Sequence, residues 1–156
     1  MRTRSNRERV TGELLDAKGY ETYAPVYRVK KRRSDRTVQV QLPLFPGYVF
    51  CKFDPQYRLP VLTTAGVVSI ISSGRMPLPI PAAEISAIRT AIESDLSISP
   101  CDYLKVGQRV RVREGSLYGV EGILLRKKND WRIVLSVDLL ERSISVEIDQ
   151  DSVEAV

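Results

Sequence analysis

The stretch LPLFPGYVF, residues 42–50, decides how this chain is read. Eight of its nine residues are apolar or proline, the ninth is glycine, and three are aromatic. Proline presets φ and glycine tolerates the left-handed region, so Pro46-Gly47 turns the chain. YVFCKF (48–53) then reads as a strand. Alternation puts Val49, Cys51 and Phe53 on one face and Tyr48, Phe50 and Lys52 on the other. On pattern alone, two readings stand: one face is core and the other outward, or both are covered.

Upstream, TVQVQL (37–42) alternates strictly, with Val38, Val40 and Leu42 on the apolar side, and reads as a half-buried strand. ETYAPVYRV (21–29) is a strand interrupted by Pro25. KKRRSDR (30–36) cannot bury and is a loop or hairpin tip. SNRERVTGELLDAK (5–18) reads as a helix capped by Ser5 or Asn6, with Val10, Leu14 and Ala17 on one face, Leu15 beside them, and Gly19 at its end. Downstream, GVVSII (66–71) is a strand. AAEISAIRTAIES (82–94) is an amphipathic helix with Pro81 at its start and Ile85, Ile88 and Ile92 on one stripe. This order gives an α+β domain over residues 1–94, an antiparallel sheet flanked by helices. Residues 95–104 read as a linker. From 105 to 156, five short strands in QRVRVRE, VEGILLRK, WRIVLSVDL, ISVEI and SVEAV imply a small all-β barrel of the SH3-like kind.

Composition narrows the function. Residues 1–40 hold 11 Lys+Arg against 5 Asp+Glu, residues 41–100 hold 4 against 4, and residues 101–156 hold 9 against 10. The positive charge belongs to the first quarter, which points to a local anionic partner, most simply nucleic acid. A solvated basic loop is the bland alternative. The chain has no histidine, so the commonest general base and metal ligand are missing. With no metal-ligand spacing and no Gly-rich phosphate loop, the expectation is a non-enzyme without cofactor or metal. Cys51 and Cys101 read as free thiols. No secretory signal or membrane-length apolar run is visible, so the expected compartment is the cytoplasm.

VGQRVRVREGSLYGVEGILLRK (106–127) resembles the KOW motif, with Gly122 at its glycine. PLFPGYVF (43–50), TTAGVVSIIS (63–72) and PLPIPAAEI (77–85), in that order, look like the NusG N-terminal domain. Together they resemble the NusG family of transcription elongation and antitermination factors over nearly the whole chain. RRSDR (32–36), VQLPLFPGYVF (40–50) and SVDLLERSISVEI (136–148) look closest to the specialised UpxY-like and RfaH-like antiterminators.

The resemblance implies that Phe45, Pro46, Gly47, Tyr48 and Phe50 dock on the β′ clamp helices of RNA polymerase, with Tyr48 and Phe50 facing outward. Thr63 and Thr64 match a further polymerase-contact motif. Arg4, Arg7, Lys30, Lys31, Arg32 and Arg33 would meet DNA near the upstream fork or the non-template strand. In the KOW domain, Leu117 and Tyr118 at the tip of EGSLYG (114–119), with Gly122, would bind Rho or a small-subunit ribosomal protein. The rival reading is an RNA-binding or ribosome-associated KOW protein, which calls for a basic barrel. One departure stands out. Relatives begin with a Trp- and Tyr-containing strand, whereas Met1-Arg2-Thr3-Arg4 matches only its tail, so either the true start lies upstream or the sheet is short of most of one strand and open to strand exchange.

Overall fold

A computed structural model describes all residues, 1–156. The chain divides into two compact units, Met1–Pro79 and Ile80–Val156. No helix is long and apolar enough to cross a membrane.

In the first unit, β1 (Arg2–Thr3) is followed by helix α1 (Glu8–Ala17), β2 (Glu21–Tyr23), β3 (Val26–Arg32), β4 (Thr37–Pro43) and β5 (Phe50–Lys52). Helix α2 (Leu59–Leu62), β6 (Val67–Ser69), β7 (Ser72–Ser73) and β8 (Met76–Pro77) complete it. β2 pairs antiparallel with β5, and β3 with β4. The expected gap at the first strand is filled by very few residues. Arg2 and Thr3 pair with Ser69 and Val67 on one side, and Arg2 bridges Tyr48 on the other. The Val49 amide donates to the Met1 carbonyl at 3.1 Å. Three residues thus link β6 to the segment leading into β5.

Helix α1 departs from expectation at both its start and its buried face. Neither Ser5 nor Asn6 caps it: Asn6 has φ 60, Arg7 is the N-cap, and no side chain bonds the first turn. The buried positions are Glu8, Thr11, Gly12 and Leu15, while Val10 and Leu14 stay about two-fifths exposed. Close approach explains the choice. A Cβ on Gly12 would meet Thr22 Oγ1 at 3.7 Å, and the Thr11 side chain lies directly against Gly66. Small residues let the helix sit near the strands, and that outweighs burial of two larger side chains. At the other end Gly19, with φ 89, donates to Asp16 O while Tyr20 donates to Leu15 O. These two bonds make a Schellman stop. Leu15, Val49 and Val61 form a fully buried cluster, with Tyr20, Ala24, Cys51, Phe53 and Ile70 packed against it.

The second unit opens with α3 (Ala82–Glu93). Of its expected stripe Ile88 is buried and Ile85 and Ile92 are half-buried, while Ala91, outside that stripe, is buried as well. β9 (Ile98–Cys101), β10 (Arg109–Val112), β11 (Glu121–Lys127), β12 (Asp130–Val137), β13 (Arg142–Ile148) and β14 (Val153–Ala155) form one antiparallel sheet in the order β14-β10-β11-β12-β13-β9. The segment read as a linker, 95–104, therefore contains a strand. β9 bonds only to β13, and an edge position accommodates Pro100, which lacks an N–H to give. Val110, Val112, Ile133, Leu135, Val137, Ile144 and Val146 fill the inner face. On the opposite face Ile123 and Val134 are also buried, and α3 packs against β12.

Gly122 lies where the sheet is tightest: a Cβ would fall 2.5 Å from the Val134 carbonyl oxygen and 2.7 Å from Ile133 Cγ1. Gly115, with φ 82, has open space at that position. Gly122→Ala is expected to cost roughly 1–3 kcal/mol through overpacking. Gly115→Ala meets only the left-handed penalty, about 1–2 kcal/mol. Urea unfolding of the two variants checks the order.

Candidate partner-binding surfaces

The turn at 45–48 is held from below by one carboxylate. Glu8, in the first turn of α1, is only 7% exposed, and its Oε1 accepts the backbone N–H of Gly47 at 2.7 Å. Gly47 (φ 81) in turn accepts from the Thr3 amide at 2.8 Å, and Tyr48 N donates to Phe45 O at 3.1 Å. A buried carboxylate needs such a donor, and a hydrogen bond to a charged group is worth about 1.5–3 kcal/mol. Sequence reading missed Glu8. Its only signal is an acid in the first turn of a helix that lacks a side-chain cap.

The same geometry corrects the alternation expected for 48–53. Phe45 and Phe50 are both buried, at 1% and 7% exposed, and pack edge to face with centroids 5.4 Å apart. The Tyr23 ring lies 6.3 Å from that of Phe50. Val49 is fully buried as well, so the strand is covered on both sides there. The turn bond at Tyr48 delays the regular ladder until Phe50, which pairs with Tyr23. What the turn offers to solvent is Pro46, which is exposed, and Tyr48 and Gly47, which are half-buried.

Thr63 and Thr64 separate in the same way. Thr63 is exposed, whereas Thr64 is buried and takes a hydrogen bond from Lys18 Nζ at 2.8 Å. Lys18 also donates to Pro60 O at 2.9 Å, tying the end of α1 to α2. Thr64 is therefore part of the packing.

Arg4 and Arg7 are exposed on the turn entering α1. Lys30, Lys31, Arg32 and Arg33 are exposed at the end of the β3–β4 hairpin, where Arg33 N donates to Arg36 O. The register pairs Arg28 with Gln41, Lys30 with Gln39 and Arg32 with Thr37. One face of the hairpin is thus cationic and amide-bearing with no carboxylate. Lys31 lies on the other face, with Tyr27, Val29, Val38, Val40 and Leu42.

In the second unit the 114–119 loop separates the two apolar residues expected together at its tip. Leu117 is buried, at 1% exposed, and Tyr118 stands out at 74%. The bonds Tyr118 N to Gly115 O, Val120 N to Leu117 O and Gly119 N to Val112 O fold the loop tightly and turn Leu117 inward. Gly122 is half-buried and packs tightly against Ile133 and Val134.

The model of the family described as "Transcription termination factor nusG" matches residues 1–89. The chain belongs to the NusG family. The "Transcription termination/antitermination protein NusG" of Lactococcus lactis subsp. lactis (strain IL1403) is 25% identical over 136 residues, covering 85% of this chain and 73% of its own length. The NusG match takes in the whole first unit and most of α3, and it stops short of the second sheet.

Sequence reading also missed a groove within the second unit. It has a volume of 780 Å³ and lies between Ala83, Ala87 and Thr90 of α3 and Arg109, Glu121 and Ser136 of the sheet. At its margin Glu84 Oε2 is shut off from solvent with no hydrogen-bond partner. Burial, then the charge of Asp138, raises the Glu84 pKa above its ordinary 4.5, against a smaller opposing effect of the Asp138 backbone. Asp138 is itself engaged by the Tyr103 hydroxyl at 2.9 Å. For a carboxylate raised in the folded state, the destabilisation is fully present above the folded pKa and vanishes below the unfolded one. Glu84→Gln is therefore expected to raise the melting temperature slightly at neutral pH, the effect being screened because the residue is part-exposed. The advantage over the parent should shrink to nothing as pH falls through the ordinary carboxylate range, as read by thermal melts across pH.

Proposed function

We propose that this NusG-family chain is a transcription elongation and antitermination factor, acting in the cytoplasm, that binds RNA polymerase and alters pausing and termination. The observation that carries this reading is the turn at 45–48, fixed by the buried Glu8 carboxylate and backed by the Phe45–Phe50 pair. A rigid aromatic edge costs little entropy to present and suits an apolar site that accepts a helical tip. The polymerase contact, on the β′ clamp helices, is made by Pro46, Gly47 and Tyr48, with Thr63 at a second point. Phe45, Phe50 and Thr64 support that surface from beneath.

The cationic face of the β3–β4 hairpin, with Arg4 and Arg7, contacts DNA phosphates near the upstream fork or the non-template strand. Such contacts are salt-dependent and carry little sequence information. Residues 105–156 are a KOW domain, and exposed Tyr118 is its anchor for a second protein, Rho or a small-subunit ribosomal protein.

Tyr48→Ala tests the docking surface without emptying the core, because Tyr48 is only half-buried. Loss of a central aromatic anchor should weaken binding to core RNA polymerase by at least about 2 kcal/mol, roughly thirtyfold, with the melting temperature unchanged. Unchanged co-purification with polymerase would remove Tyr48 from the interface.

A further inference from the structure

The second unit carries a basic prong that the function above does not use. β11 and β12 are joined by a two-residue turn, Lys128-Asn129, across the pair Lys127–Asp130. Arg126, Lys127, Lys128 and Arg132 put four cations within seven residues, against one carboxylate, Asp130. Arg132 is engaged by Glu147 at 3.8 Å. Neither Lys127 nor Lys128 takes part in any ion pair, and both are exposed. The unit as a whole holds 10 Lys+Arg against 13 Asp+Glu, so this prong is a local concentration.

Two further features separate it from an ordinary solvated turn. Lys128 has φ 58, a conformation that glycine or asparagine adopts at lower cost. A lysine held there projects its charge from the apex of the turn. Behind it, Arg126 stands directly across from Trp131 in the ladder, with its guanidinium carbon 5.6 Å from the indole centroid. The indole restrains an exposed guanidinium beside two unpaired ammonium groups. Guanidinium planes and aromatic rings both stack on unpaired bases, and flanking cations take the adjoining phosphates.

We propose that the β11–β12 hairpin is a single-stranded nucleic-acid contact. Lys127 and Lys128 hold consecutive phosphates, and the Arg126–Trp131 pair stacks a base. The contact belongs to the second unit alone and does not depend on the polymerase surface. A narrow turn tipped by point charges reads no groove, and its stacking element needs a base free of its pair.

The chain provides its own probe, because Trp131 is its only tryptophan. The full chain is titrated with oligouridine while tryptophan emission is followed over a series of salt concentrations. Saturable quenching is expected. Lys127→Gln with Lys128→Asn removes both charges and leaves a residue that accepts the left-handed apex. This double variant should bind about tenfold more weakly and lower the slope of log K against log salt by about 1.4, two phosphates at about 0.7 each on a single strand. Lys30→Gln with Lys31→Gln, and separately Tyr48→Ala, should leave the quenching in place, so failure here is distinguishable from failure of polymerase docking. Unchanged emission, or an unchanged slope in the Lys127/Lys128 variant, overturns the proposal. An equal response to a duplex of the same length, or to polyglutamate of matched charge, overturns it as well, because base stacking would then play no part.

Discussion

The first unit is organised around a buried carboxylate, Glu8, and the single backbone N–H it receives from Gly47. The carboxylate has left water, so it must be satisfied, and the turn at 45–48 supplies the donor. Once that bond forms, other placements follow. Gly47 accepts from Thr3, which sets the short first strand, and Tyr48 bridges Arg2, which joins that strand to the segment entering β5. Phe45 and Phe50 are brought edge to face beneath the turn. The surface that we assign to polymerase docking is thus the outer side of a packing solution.

Much of this was legible in the sequence. The period-two strands at 37–42 and 109–112, the break at Pro25, the stop at Gly19 and the Ile88 stripe of α3 depend on local pattern, and local pattern carried them. The misplaced features were decided by tertiary contacts. Val10 and Leu14 lost the buried face of α1 because Thr11 and Gly12 allow the closer approach, which no hydrophobic count records. Alternation left both faces of 48–53 open and the family resemblance implied Phe50 outward, but the turn bond at Tyr48 delays the ladder and Phe50 is buried against Phe45. The 95–104 segment holds a strand because an edge position forgives Pro100, which sequence reading takes as a breaker.

The surfaces followed the same division. Charge clusters such as Lys30–Arg33 were visible as composition and are exposed in the structure. Leu117 and Tyr118 are adjacent in sequence, and the bonds of their tight loop turn Leu117 inward and leave Tyr118 exposed. Glu8, Lys18 and Glu84 gave almost no signal, since one charged side chain on a helix is ordinarily solvated. Their roles arise from partners far along the chain: Gly47, Thr64 and Asp138.

We propose that the 45–48 turn is rigid in the free chain and is the part that polymerase covers. Amide hydrogen exchange of residues 45–50, followed with and without core RNA polymerase, tests it most directly. Slow exchange at Gly47 is expected in the free chain, with further slowing across the turn when polymerase is added. Fast exchange at Gly47, or polymerase protection that falls elsewhere and leaves this turn unchanged, would contradict it.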